Sequence, residues 1–86
     1  MEFKGTPMPW EVVTKTRIDL PSCLVKKGDK VIAHTLQRHT GAEQARANAH
    51  LIAAAPELLE ALIEIRKLVA HHDKADLAIA KALGQQ

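Results

Sequence analysis

Aromatic residues are nearly missing from this chain: among 86 residues there is one Trp, one Phe and no Tyr. That excludes a core of stacked rings and a nucleic-acid surface made of repeated aromatic platforms. A single cysteine, Cys23, rules out an internal disulfide and any zinc site built from several thiolates. Its environment type is that of a small buried hydrophobe rather than a reactive thiol. No apolar run approaches the roughly 20 residues needed to span a bilayer, and the N-terminus lacks a signal-peptide core, so the expected location is the cytoplasm. Charge of one sign is lacking too. Twelve Lys and Arg against ten Asp and Glu leave a formal net charge of +2, too little to predict nucleic-acid binding.

Catalytic spacings are also missing. There is no G-x-S-x-G elbow, no phosphate-binding loop and no dinucleotide fingerprint, which points away from an enzyme. Five histidines are present, but none stands in an H-E-x-x-H spacing. The adjacent His71 and His72 diverge by about 100° on a helix, so no metal site and no cofactor is expected.

What is abundant is alanine, fourteen residues of it, concentrated in the second half of the chain. Alanine buries little area, and a single 86-residue domain sits near the size at which one core gives marginal stability. Self-association is therefore expected.

The order of elements follows from local chemistry. Gly5, Pro7 and Pro9 predict an extended lead-in over residues 1–9. Residues 10–37 predict a three-stranded antiparallel meander. Its runs are Trp10 to Thr14, Ile18 to Val25 (interrupted by Pro21) and Lys30 to Leu36, the last two joined by a turn at Lys26 to Asp29 in which Gly28 takes positive φ. Residues 40–84 predict a helical region. Thr40-Gly41-Ala42-Glu43 has capping-box spacing, and Ala42, Ala45, Ala49, Ile52 and Ala53 share one face, a methyl stripe on which a sheet can lie close.

Pro56 is expected to stop or sharply kink the helix and open a second one. In that second helix Leu58, Ala61, Leu62, Ile65, Leu68 and Val69 form one arc, which Leu59, Ile63 and Ala70 extend beyond the width one core contact needs. One side would cover the chain's own core. The remainder would meet another copy through residues 56–70. Glu57, Glu60 and Glu64 read as a solvated acidic face. His71-His72-Asp73 is either a break or further helix, and Asp73 suits the cap of a last segment, Lys74 to Leu83, ended by Gly84. The fold class is thus α+β: a meander followed by a proline-hinged helical pair and a short third helical segment.

Two motifs carry a resemblance. Thr6-Pro7-Met8-Pro9-Trp10 and Ala47-Asn48-Ala49-His50-Leu51-Ile52-Ala53-Ala54-Ala55-Pro56-Glu57-Leu58-Leu59-Glu60-Ala61-Leu62 resemble a widespread class of small phage and prophage proteins, with a T-P-x-P-W opening and an A-N-A-x-L-I-A-A-A-P-E-L-L-E-A-L helix. The ending Ala78 to Gly84 is similar as well. The resemblance implies a cytoplasmic protein of an infected bacterium. Small phage accessory proteins often antagonise host defence, some as oligomeric sponges that hold a nucleotide signal between subunits without cleaving it. On that analogy the ligand-binding groups would be Trp10 for stacking, Arg46 for phosphate, Asn48 for a base or ribose edge, and His50. Trp10 also suits a core anchor, and Asn48 a structural bond to nearby backbone. Two alternatives stand beside the sponge. One is a module that blocks a host enzyme through the acidic face of Glu57, Glu60 and Glu64. The other is a small nucleotide-cleaving enzyme with His34, His39 or His50 as base.

Overall fold

In a computed structural model the described residues are 3–14, 22–36 and 41–85. The stretch between the first two expected runs, Pro21, His39 and the Thr40 cap lie outside them. The fold is α+β: three strands, β1 (Glu11–Val13), β2 (Ser22–Lys27) and β3 (Lys30–Leu36), precede two helices, α1 (Ala42–Arg66) and α2 (Asp73–Ala82). By contacts the chain divides into two compact units: Thr6–Pro56, which holds the sheet, and Met1–Gly5 with Glu57–Gln86, which is helical.

In the sheet unit the strands pair antiparallel in the order β1-β2-β3, as a meander. Lys27 pairs with Lys30 across Gly28 and Asp29. Gly28 has φ 57°, and no non-glycine residue among those described has positive φ. Glycine at the first central position meets the φ requirement of a type II′ turn, whose twist suits a hairpin. The register then slips: Val25 faces Ala33 while Lys26 faces Val31, which makes Ile32 the extra residue of a β-bulge. The slip leaves Val31 at 48% exposure and lets Ile32 and Ala33 both pack toward the core.

That core is Cys23 and Val25 from β2 against Ala49 and Ala53 from α1, flanked by Trp10, Val12, Ile32, Ala33 and Ile52. The methyl stripe does what its spacing predicts: Ala45, Ala49 and Ala53 are buried, while Ala42 is exposed. The Thr35 hydroxyl, buried on the inner face of β3, donates to the Ala45 carbonyl at 2.7 Å and ties strand to helix.

Pro56 does not end the helix. α1 continues through it for 25 residues. Proline forfeits only the bond from its own nitrogen to the Ile52 carbonyl. Strong helix formers on both sides, Ala53-Ala54-Ala55 before and Glu57-Leu58-Leu59 after, retain the other bonds. The proline is itself buried, and the division between the two units falls immediately after it.

In the helical unit, α1 closes with short turns, Lys67 N–H to the Glu64 carbonyl and Leu68 N–H to the Ile65 carbonyl. His71 and His72 form a true break, and α2 begins with His72, not Asp73, at its N-cap, without a side-chain cap bond. Gly84 (φ 72°) ends α2 in a Schellman motif, with Gln85 N–H bonded to the Ala80 carbonyl and Gly84 N–H to that of Lys81. The arc of α1 is buried on one side only, where Leu62 is half-buried. Leu59 and Ile79 are the buried apolar anchors and Ile63 is half-buried, whereas Leu58, Ile65, Leu68 and Val69 are exposed. Both sides of a wide apolar arc are equally attractive to a core, so helical periodicity gives the width and not the choice.

Candidate functional site

Trp10 opens β1, and the prolines before it hold residues 7–9 out of regular structure. Its indole N–H donates to the Thr6 carbonyl at 3.0 Å, closing the Thr6 to Trp10 segment on itself. The ring packs against the Cys23–Val25–Ala49–Ala53 cluster. Lys27 Nζ donates to the Met8 carbonyl at 3.2 Å and holds the same segment at the end of β2. The T-P-x-P-W opening is thus a clasp on the sheet unit, and Trp10 sits in it as an anchor.

Arg46, Asn48 and His50 are all exposed on α1. At 3.6 residues per turn Arg46 and His50 stand about 40° apart, while Asn48 points about 160° away from Arg46. The structure does not bring the three together within one chain. Asn48 instead lines a groove of about 360 Å³ with His34, Thr35, Leu36, Leu51 and Ile52. Leu36 and Leu51 are 50% and 64% exposed there, so its walls are largely apolar. Asn48, open to solvent, needs no internal partner.

The most organised polar constellation lies in the helical unit, where α1 turns into α2. Arg66 Nε donates to Asp76 Oδ1 at 2.6 Å, and His72 Nδ1 lies 2.9 Å from Asp76 Oδ2. One carboxylate therefore holds two basic side chains from either side of the break. The Arg66 hydrogen bond, aided by that of His72, holds the Asp76 carboxyl below the usual carboxylate range, against a smaller opposing effect of desolvation. Beside this cluster is a cavity of about 450 Å³, lined by Ile65, Arg66, Val69, His71, His72 and Lys74 among others. The sequence expectations placed no function here. The four-residue spacing of His72 and Asp76 would have signalled a helical pair once the break was known; Arg66, ten residues earlier, gave no such signal.

Among the described residues, no group of three or more His, Cys, Asp or Glu side chains is arranged to hold a metal ion, and no helix is long and apolar enough to cross a membrane. Cys23 is a free thiol buried in the sheet unit.

The helical unit also carries an apolar seam. Leu58, Ala61 and Ile65 follow the alternating three- and four-residue spacing of a coiled-coil seam, and Leu68 extends the row from the turn that closes α1. All four are exposed, Leu58 and Ile65 at 53% and Leu68 at 87%. Glu57, Glu60 and Glu64 are exposed and occupy one flank of it.

No curated protein and no solved structure matches the chain at significant similarity. A family model described as Salmonella phage P22 protein Y8K6 does match, over residues 1–86, in keeping with the resemblance of its two motifs to small phage proteins. A match across the whole chain places this protein in the Salmonella phage P22 protein Y8K6 family.

Proposed function

We propose that this phage protein is a non-enzymatic binding protein that works as a homo-oligomer in the cytoplasm of the infected bacterium and antagonises host defence by retaining an anionic nucleotide signal. The observation that carries self-assembly is the exposed seam of Leu58, Ala61, Ile65 and Leu68, bordered by Val69 at 44% exposure. Its spacing is that of helices packing knobs into holes, and a second copy offers the same spacing in return. Covering these side chains is worth about 5 kcal/mol per protomer at 1.5–3 kcal/mol for each fully buried aliphatic side chain. Two protomers recover about 10 kcal/mol against an association cost of roughly 4–15 kcal/mol, so at the low end of that cost the seam alone supports a dimer with a Kd of roughly 40 μM. The phage family supports the setting.

A second reading rests on the exposed acidic flank of Glu57, Glu60 and Glu64 beside the same seam. A host enzyme with a basic-rimmed apolar groove would fit it. Light scattering coupled to size exclusion, followed by incubation with candidate nucleotide signals and heat denaturation, separates these. The proposed protein runs as an oligomer and releases the signal intact. A monomer that retains no nucleotide overturns the proposal and leaves the blocker; altered product would show an enzyme.

A further inference from the structure

We infer that the cavity at the corner of α1 and α2 is a binding site for a small organic phosphate with an apolar or flat body, the chemical class of a mononucleotide. This deepens the reading above by giving its anionic ligand a place. Oligomeric state is measured with no ligand present, so either claim can fail alone.

The cavity measures about 450 Å³, inside the 300–1,000 Å³ range of small-molecule sites. Its lining carries two chemistries. Ile65 and Val69, exposed in the single chain, belong to this lining and also to the seam, so a bound ligand and a second copy meet at them. Arg66 and Lys74 bring two cations to the same lining, and His71 and His72 bring ring nitrogens. An inorganic anion would leave the apolar part unused, and an uncharged apolar molecule would leave the cations unused. A ligand with both an apolar body and a phosphate uses both.

The Arg66 guanidinium is held for this purpose. Its Nε edge is taken by Asp76 Oδ1, and no hydrogen bond of either Nη group is present among the described residues. Fixing a long side chain costs rotamer entropy, and Asp76 has already met that cost before a ligand arrives. The remaining fork has the planar geometry that matches two oxygens of a phosphate. The same carboxylate holds His72 by Nδ1, which leaves Nε2 as the free ring nitrogen. Nε2 donates only when the ring is an imidazolium, so Asp76 is a positioning residue for the Arg66 fork first. Lys74 adds a point charge at the mouth. Asp73, also in the lining, opposes an anion and offsets part of that charge.

The test is a proton–nitrogen NMR titration of the full-length protein with adenosine 5′-monophosphate, and separately with inorganic phosphate and with adenosine. The monophosphate should give saturable shifts at Arg66 Nε–H and at the amides of His71 to Lys74, with each half-molecule about tenfold weaker or more. Lys74→Gln, an exposed change, should weaken binding about three- to fivefold with unchanged melting temperature, as one half-screened charge is removed. Asp73→Asn should tighten it by a similar factor. A role confined to bracing the helix corner would move neither affinity. The inference is overturned if millimolar monophosphate produces no saturable shift, if shifts fall instead around His34 and Asn48, or if Lys74→Gln and Asp73→Asn bind as the wild type does.

Discussion

The sheet unit buries Cys23, Val25, Ala45, Ala49 and Ala53 between strands and helix, whereas the residues from Glu57 onward bury only Leu59 and Ile79 among their described apolar side chains. The same later stretch leaves Leu58, Ile65, Leu68, Val69 and Leu77 between 44% and 87% exposed. Alanine explains the first half of this contrast. A methyl stripe contributes little area, but it lets β2 and β3 lie close enough to α1 for the Thr35 hydroxyl to reach a helix carbonyl. Leucine explains the second half. Two helices alone cannot enclose a helix that is apolar over so wide an arc. Closure by small side chains gives a finished surface, and closure by large ones on a short helical pair leaves a remainder for another molecule.

Breaking each unit at its own anchor sharpens the comparison. The largest effect belongs to Ile79→Ala. Ile79 is 1% exposed, and truncating a buried isoleucine costs about 2–5 kcal/mol. Chemical denaturation should show that loss. In the sheet unit the sensitivity runs the other way, toward added volume. Ala49→Leu forces a larger side chain against Cys23 and Val25 and should cost about 1–3 kcal/mol, read as a lower denaturation midpoint. Thr35→Val keeps the shape and removes the donor to the Ala45 carbonyl, a change worth about 1 kcal/mol.

The smallest effect concerns acid. Because Asp76 has a depressed pKa in the folded chain, its contribution is fully present above the ordinary carboxylate value of about 3.9 and is lost as pH falls through the lower folded value. The difference in melting temperature between the wild type and Asp76→Asn should therefore be present at neutral pH and shrink below pH ~3.9. Asp76 is well exposed to solvent, so the difference is small throughout.

Much of this architecture was legible in residue order, for reasons specific to each element. β3 runs from Lys30 to Leu36 as its β-prone run predicts, because Gly28 fixes the turn before it. The alanine face of α1 was legible because only a close neighbour makes use of methyl groups at that spacing. Of the two outcomes expected at Pro56 the stop does not occur, because a helix interior can forgo one bond when the residues around it favour helix strongly. The bulge at Ile32 was hidden because it depends on which register buries more, a property of three strands and not of one. Of the expected ligand residues, Trp10 serves the clasp on the sheet unit, while Arg46 and His50 share a face that Asn48 does not. The Arg66–His72–Asp76 cluster needed the turn between the helices before its members could meet.

The central claim is that the exposed seam of the helical unit is covered by another copy of the chain. Its most direct test is the molar mass of the wild type and of a Leu58→Glu, Leu68→Glu double variant, measured by light scattering on eluting protein at about 1 mM, well above a Kd of roughly 40 μM. The account predicts an oligomeric wild type and a monomeric variant with the same circular dichroism, since both leucines are already exposed in the single chain. A wild type that elutes as a monomer at that concentration, or a variant that keeps the oligomer, would contradict it.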